Sequence, residues 1–414
     1  MMKNESIALV SLGCAKNAVD LQVMAGKLVK GGCTLSPDPD RADVVIVNTC
    51  SFIAAAREEA EAEIVRAIEL KRRGQYGRVV VTGCYPQRYP ELKAAFPGVD
   101  EWIGVPGRWE EPAIPALRFT GKAFAYLKIA EGCAHRCAYC AIPAIRGKYR
   151  SRPAAAVLRE AKALVASGCR ELNVIAQDPL LYGVDFGNRG GRRRGIVQLL
   201  REIDRIPGDF WVRVLYCRPE GITREFINWM LESPHAVRYI DVPIQHTVPA
   251  VLKKMNRLRS IAASRSVAET LRAAIPDVTL RTTVMTGFPG ESENRFHAML
   301  DDLNRMQFDH LGAFAFSPER GTPAFGMRGR PSAGTARERE KKVMAQQRRI
   351  WSAKAARMTG AVRRALVVAP GVARMASQAP DVDGVVCIDR GEVGEFVTVR
   401  LLKTKGFDFI GEAL

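Results

Sequence analysis

Cys133, Cys137 and Cys140 have the most informative spacing in the chain, in the segment Cys133-Ala134-His135-Arg136-Cys137-Ala138-Tyr139-Cys140. Thiols three and four residues apart on one tight loop can hold three corners of a four-iron, four-sulfide cube. The fourth iron then stays open to an outside ligand. A zinc knuckle is the alternative use of such a loop. The run of strand–helix units after the motif favours the cluster. A second trio, Cys14, Cys50 and Cys84, is spread over three segments: Ser11-Leu12-Gly13-Cys14, Val47-Asn48-Thr49-Cys50 and Val81-Thr82-Gly83-Cys84. Each thiol sits at or just past the carboxyl end of a predicted strand. In a parallel sheet those ends share one edge, where ligands bind, so the three should converge in space. Gly13 and Gly83 would let the backbone turn tightly around a bulky ligand. Three inert buried thiols or a zinc site, which wants a fourth ligand, are the alternatives. Three thiolates suit a second four-iron cluster. His135 is expected to be exposed rather than a ligand. Cys33, Cys169, Cys217 and Cys387 fit neither trio and read as ordinary thiols.

The elements that must position these thiols follow from hydrophobic period. Ile7–Ser11, Asp43–Asn48, Arg78–Thr82 and Trp102–Val105 are short apolar runs, with helical stretches between them, including Ala54–Arg73. Continuous apolar strands separated by helices imply a parallel sheet covered on both faces. Residues 106–122, with Pro106, Pro112 and Pro115, read as a linker. Six more strands are expected at Tyr126–Ala130, Glu171–Ala176, Trp211–Tyr216, Tyr239–Pro243, Thr279–Thr286 and Leu311–Phe316. Six β/α units in a row imply an open or partial barrel with its chemistry at the strands' carboxyl ends. A helix over 335–358 and strands at Ala365–Val368, Gly384–Ile388, Glu395–Leu402 and Phe407–Ile410 suggest a small all-β domain. The expected domains are 1–106, 119–348 and 351–414. The fold class is α/β, with an N-terminal parallel domain, a partial (β/α)6 barrel and a small C-terminal β-barrel.

Composition limits the function classes. The 414 residues hold 47% hydrophobic and 26% charged side chains, as in a globular protein. No apolar run approaches the roughly 20 residues of a membrane helix, and the opening segment lacks a signal-peptide pattern. A cytoplasmic protein without a membrane partner is expected. Metal or redox chemistry is then a better reading of the 10 cysteines than disulfides. Lys and Arg number 62 against 44 acids, a formal charge of +18. Residues 328–364 carry 12 basic side chains against Glu338 and Glu340. A solvated helix face or a phosphate-facing patch would account for them. Gly187–Gly195, with Arg189, Arg192, Arg193 and Arg194, reads as a mobile basic loop.

The three-cysteine loop, with Tyr139 before its last thiol, resembles the radical S-adenosylmethionine (SAM) superfamily. With both trios, the chain from Ser11 onward resembles the methylthiotransferase family within it. Ser11-Leu12-Gly13-Cys14-Ala15-Lys16-Asn17, Ile142–Pro153, Ala176-Gln177-Asp178, Asp241–His246, Gly287–Glu291 and Pro380–Val386 are similar to the branch that acts on a ribosomal protein. The resemblance implies an auxiliary-cluster domain, a radical SAM domain and a TRAM domain. It implies two 4Fe–4S clusters, on Cys14, Cys50 and Cys84 and on Cys133, Cys137 and Cys140, with SAM both methyl donor and radical source. The implied reaction places a methylthio group on the β-carbon of an aspartate of ribosomal protein S-twelve. Implied partners are S-twelve or the small ribosomal subunit, an electron donor such as flavodoxin or ferredoxin, and rRNA. Tyr139, Gln177, Gln245, Arg281 and Gly287 are the candidate SAM-binding residues. Arg281 also reads as a structural ion pair, and Gly287 as part of a turn. A tRNA-adenosine methylthiotransferase and a non-catalytic, metal-binding RNA-associated protein are the competing readings.

Overall fold

The structure is a computed structural model that describes residues 4–105, 117–187 and 195–414. The arginines of the expected basic loop and most of the 106–122 linker lie outside these residues. The first sheet comprises β1 (Ser6–Ser11), β2 (Thr34–Leu35), β3 (Ala42–Thr49), β4 (Tyr76–Gly83) and β5 (Glu101–Ile103), with α1 (Ala15–Lys30) and α2 (Ala54–Arg72) between them. All its strands are parallel, in the order β2-β1-β3-β4-β5. Strand residues alternate between two cores, as a pleat of period two requires. Val45, Val47, Val79 and Val81 pack with Ala60, Ile64 and Ala67 of α2, while Val44, Ile46 and Val80 pack with Leu21 of α1. The fourth predicted strand is displaced by one or two residues, to Glu101–Ile103, where it pairs with Val80–Thr82. α3 (Cys84–Arg88) follows β4 directly.

The central domain begins with β6 (Phe124–Lys128) and a small hairpin of β7 (Ala130–Glu131) and β8 (Arg150–Ser151) around α4 (Ile142–Arg146). Then come α5 (Ala154–Ala166), β9 (Glu171–Ile175), α6 (Ile196–Ile203), β10 (Trp211–Val214), α7 (Arg224–Glu232), β11 (Tyr239–Asp241), α8 (Pro249–Lys254), α9 (Ser260–Ala274), β12 (Thr279–Thr286), α10 (Glu293–Met306) and β13 (His310–Ala315). The six long strands run parallel in two groups, β6-β9-β10 and β11-β12-β13. Backbone hydrogen bonds from Val212 N to His235 O (2.7 Å) and Val237 N to Val212 O (3.1 Å) join the groups into a partial barrel. The helices cover its outside. In α6, Ile196, Val197, Leu199, Leu200 and Ile203 form the buried stripe of an amphipathic helix. Thr223 and Ser292 cap α7 and α10 by accepting from Phe226 N and Arg295 N, each satisfying an amide that has no partner within its helix.

α11 (Ala333–Met358) leads into a closed barrel of β14 (Val362–Ala369), β15 (Val372–Met375), β16 (Val386–Cys387), β17 (Phe396–Lys405) and β18 (Asp408–Ala413). β15 was not expected. It is four residues long, carries a buried arginine (Arg374), and is reached by a tight turn at Gly371 (φ +71°). The barrel packs on the amino-terminal end of the central sheet, where Leu366, Ala379 and Phe396 meet Phe124, Trp211 and Tyr239.

Candidate metal centre

Strand register brings the first trio together. β1, β3 and β4 are neighbours, with Ser11 beside Asn48 and Thr49 beside Gly83. Cys14 precedes α1, Cys50 follows β3 and Cys84 opens α3, so the thiols leave adjacent strand ends. Gly13 (φ +91°) and Gly83 (φ +98°) occupy backbone space that other residues rarely use. A Cβ on Gly13 would lie 2.6 Å from Cys50 Cβ, and one on Gly83 would lie 2.6 Å from Thr49 O. Two buried asparagines, neither expected to have a role at the site, tie these loops together. Asn17 Nδ2 donates to Leu12 O (2.8 Å) and Thr49 O (3.2 Å), and Asn48 Nδ2 donates to Asn17 O (2.8 Å).

The second trio sits on the loop between β7 and α4. Cys133 N donates to Gly147 O (3.2 Å), Cys140 N to Cys137 O (3.1 Å) and Ala138 N to Met255 O (3.0 Å). One cavity of about 500 Å³ is lined by all six cysteines, Cys14, Cys50, Cys84, Cys133, Cys137 and Cys140. Phe52, Ile53, Ile142, Ile145 and Phe314 form apolar parts of its wall.

Two buried arginines face the thiols. Arg146 Nη2 lies 3.4 Å from Cys84 Sγ, and Arg218 Nη1 lies 3.3 Å from Cys137 Sγ. Such cations offset the negative charge of metal-bound thiolates. Burial pushes the Cys84 and Cys140 thiols up to about 12 and raises Cys50 and Cys133 as well. A metal takes these groups as thiolates and displaces their protons. Among the described residues, no three His, Cys, Asp or Glu side chains are close enough to hold a single ion. A zinc ion with bonds near 2.3 Å draws its sulfurs almost into contact. A four-iron cube carries its own bridging sulfides and is reached by thiolates from farther apart. Two sets of three thiols around one cavity, each beside a guanidinium, fit two such clusters.

Three of the expected SAM-binding residues line this cavity: Tyr139, Gln177 and Gln245. The Tyr139 hydroxyl accepts from Arg257 Nη1 (3.2 Å). Gln177 Nε2 donates to Glu131 Oε1 (2.8 Å), while the buried Oε1 of Gln177 has no hydrogen-bond partner. Gln245 sits at φ +68°, and its buried Oε1 is also unpartnered. Strain of this kind in a non-glycine residue concentrates at ligand sites. Arg281 and Gly287 are not among the lining residues. Arg281 is drawn to the C-terminal barrel, with Nη1 3.4 Å from Asp383 and Nε 3.8 Å from Asp241. Gly287 N donates to Glu291 Oε1 (2.9 Å), and the absence of a Cβ lets the backbone approach Ala336 of α11. His135, expected to be exposed, is half-buried, has Nε2 2.7 Å from Asp178 Oδ2 and lines the cavity. Lys16, Arg146, Arg218 and Arg257 also line it. Lys16 and Arg146 fall within the segments Ser11–Asn17 and Ile142–Pro153 but are not singled out there, and Arg218 and Arg257 lie outside the quoted segments. Burial pulls the Lys16 pKa down to about 8, against the opposing pull of Cys14 and Asp241.

A buried ion cluster joins the two thiol-bearing domains. Lys128 pairs with Asp20 of α1 and with Glu131 (2.6 Å). Arg146 Nη1 reaches Asp20 (2.8 Å) and Glu131 (3.0 Å), and its Nη2 lies 3.2 Å from Asn17 Oδ1. Despite its burial, Lys128 and Arg146 hold the Glu131 carboxyl down at about 2.

Comparison with known proteins agrees with this geometry. Residues 6–104 match the family model of uncharacterized protein family UPF0004, residues 127–303 the radical SAM superfamily and residues 367–414 the TRAM domain. The ribosomal protein uS12 methylthiotransferase RimO of Geobacter sulfurreducens is 38% identical, with 99% of each chain covered. That of Moorella thermoacetica is 41% identical, covering 98% of this chain and 99% of its own. Among solved structures, the radical SAM methyltransferase TsrM from Kitasatospora setae superposes with a TM-score of 0.55 at 16% identity, over 89% of this chain and 80% of its own. That likeness concerns the fold alone. Near-complete coverage by the RimO proteins, at such identity and with all three domain types in order, shows that the chain belongs to the RimO family of radical SAM methylthiotransferases.

Proposed function

We propose that this chain places a methylthio group on the β-carbon of an aspartate side chain in ribosomal protein uS12, the S-twelve of the small subunit. Convergence of six thiols from two domains on one cavity carries this reading. Cys14, Cys50 and Cys84 would hold the auxiliary cluster, and Cys133, Cys137 and Cys140 the cluster that takes SAM. When bound, these groups supply the sulfur carrier, the methyl group and the radical that removes an unactivated hydrogen, a step beyond any side-chain base.

The protein's own residues perform the rest. Gln177 Oε1 and Gln245 Oε1 are free acceptors for the amino and hydroxyl groups of SAM. Tyr139 presents its ring to Phe288 with centroids 6.3 Å apart, an edge-to-face contact that fixes one wall of the pocket. Phe52, Ile53, Ile142, Ile145 and Phe314 limit water, which would otherwise compete for reactive species. A small one-electron donor protein such as flavodoxin or ferredoxin would supply reducing equivalents. A ribosomal substrate would put the reaction in the cytoplasm, with rRNA beside the docking surface.

The test is mass spectrometry of uS12 and of tRNA from a strain lacking the gene, with and without the gene restored. Replacing H by SCH3 adds about 46 Da, within the chemistry that the cofactor carries. The increment should return to uS12 with the wild-type chain, and not when either cysteine trio is replaced by alanine. Its appearance in tRNA instead would move the substrate to nucleic acid. Anaerobic iron analysis should read about eight irons per chain, falling to about four when one trio is replaced.

A further inference from the structure

Four cations line the cavity, and their partners separate them. Arg146 is engaged by Asp20, Glu131 and Asn17. Arg218 is engaged by Glu220 (2.7 Å) and by Cys137. Arg257 donates to the Tyr139 hydroxyl and to Pro243 O (3.0 Å). Lys16 differs. Its side chain is buried, with the residue 9% exposed, and its Nζ rests over the Tyr216 ring, 3.0 Å from the centroid. Among the described residues, no carboxylate stands within ion-pair distance of it. Asp241, a nearby candidate, is taken by the Tyr216 N–H (3.0 Å) and by Arg281 (3.8 Å). Tyr216 itself is held at φ +69°. A buried ammonium is costly without a countercharge, and a ring face offsets only part of that cost.

We propose that Lys16 binds the carboxylate of the substrate aspartate and sets the preference for an acidic side chain. This rests on the function proposed above. In an aspartate the β-carbon is bonded directly to the carboxylate carbon. Wherever the new carbon–sulfur bond forms, the carboxylate is one bond away. That bond would form beside the Cys14, Cys50 and Cys84 thiols. Lys16 stands two residues past Cys14, in the first turn of α1, and shares the cavity wall with all three. Tyr216 lines the same cavity and lies against the ammonium with its ring face. A carboxylate in that place would supply the contact ion pair that no carboxylate among the described residues makes. Asparagine has nearly the same shape without the charge, so Lys16 would discriminate the two by charge.

The experiment uses the full chain, anaerobically reconstituted, and labelled uS12 with either the target aspartate or an asparagine in its place. Wild-type protein should bind the aspartate form at least about tenfold more tightly, the scale of one charge-assisted hydrogen bond. Lys16→Met should bring the ratio close to one, and Lys16→Arg should restore most of it. Iron content establishes whether each variant is assembled, and Lys16→Gln replaces Lys16→Met if the latter fails to load. A wild-type ratio near one overturns the proposal whatever the variants do. So does a full ratio in an iron-replete Lys16→Met protein. Weakened SAM binding with the aspartate preference intact assigns Lys16 to the cofactor and also overturns it. If wild-type protein transfers nothing to uS12, the functional reading fails. Transfer with a ratio near one removes only the role of Lys16.

Discussion

Gly83 joins backbone conformation to the placement of a thiol. Its φ of +98° and ψ of −147° lie in a region that is nearly exclusive to glycine. The carbonyl of Thr49 and the side chain of Asn48 fill the place of a Cβ. Cys84 follows at once, so any adjustment here displaces a thiol proposed to hold the auxiliary cluster. Gly83→Ala should lower stability by about 1–3 kcal/mol, measured by denaturant unfolding, and should reduce iron from about eight toward about four per chain. Gly74 is the control. It also has positive φ (+74°), but nothing lies within 4 Å of a Cβ there. Gly74→Ala should keep full iron loading. Equal iron loss in both variants would show that general instability, and not the turn, controls cluster assembly. The convergence of Cys14, Cys50 and Cys84 is legible from sequence because a strand end is a local feature, marked by an apolar run and then a glycine or polar residue; the other three thiols are legible from their spacing on one loop. The arginines facing them are not. Arg146 is placed by Asp20 and Asn17, more than a hundred residues earlier, and no local pattern encodes such a partner.

Helix α11 shows how one element serves two surroundings. Ala336, Arg339, Val343, Gln347, Ile350, Trp351 and Ala355 form its buried face, recurring along the helix at near-helical spacing. Arg339 belongs to that face because Glu291 meets it at 2.6 Å and Phe296 lies beneath its guanidinium. Arg337, Lys341, Lys342, Arg348, Arg349 and Arg357 remain exposed. Lys341 is matched by Glu338 at 2.9 Å, an exposed pair of little energetic weight. The others give the helix a positive outer face complementary to phosphates. Replacing Arg337, Lys342, Arg348 and Arg349 by glutamine should weaken binding to small ribosomal subunits. The dependence of log K on log salt should also become shallower, by roughly 0.7–0.9 for each phosphate no longer neutralised. Unchanged affinity and slope would leave these residues as a solvated face. Periodicity reveals this helix and its basic content, yet its relation to Gly287 escapes a sequence reading. Gly287 resembles a ligand-binding turn locally, and only the assembled fold shows α11 lying against it. The small barrel is similar: its other four strands are legible, while β15 carries a buried Arg374 whose acidic partner lies in another domain.

At the scale of the molecule, buried charge joins the three domains. Lys128, Arg146, Asp20 and Glu131 join the first two. Glu171 joins the central sheet to the C-terminal barrel. It is fully buried, accepts from Arg213 Nε at 2.8 Å, and pairs with Arg374 of β15. Burial opposes its ionisation, but Arg374 and Arg213 prevail and hold its carboxyl below the ordinary value. A depressed carboxylate pKa stabilises the fold fully above the unfolded value of about 4.3 and loses that contribution as pH falls through the folded value. Acid should therefore loosen the barrel from the central domain by removing the countercharge of two buried arginines. Glu171→Gln imposes the same loss at neutral pH, with an expected cost of about 3–5 kcal/mol, because breaking one side of a buried ion pair leaves the other uncompensated. Unfolding free energy measured from neutral pH down to about pH 3 should decline more steeply in wild type than in Glu171→Gln, since the variant lacks the titrating group. Small-angle scattering should show the variant expanded at neutral pH, with the radius that wild type reaches only in acid. Parallel pH slopes in the two proteins would mean that Glu171 does not govern docking. The apolar contacts of Trp211 with Phe396, whose rings are 4.8 Å apart, would then hold the barrel in place by themselves.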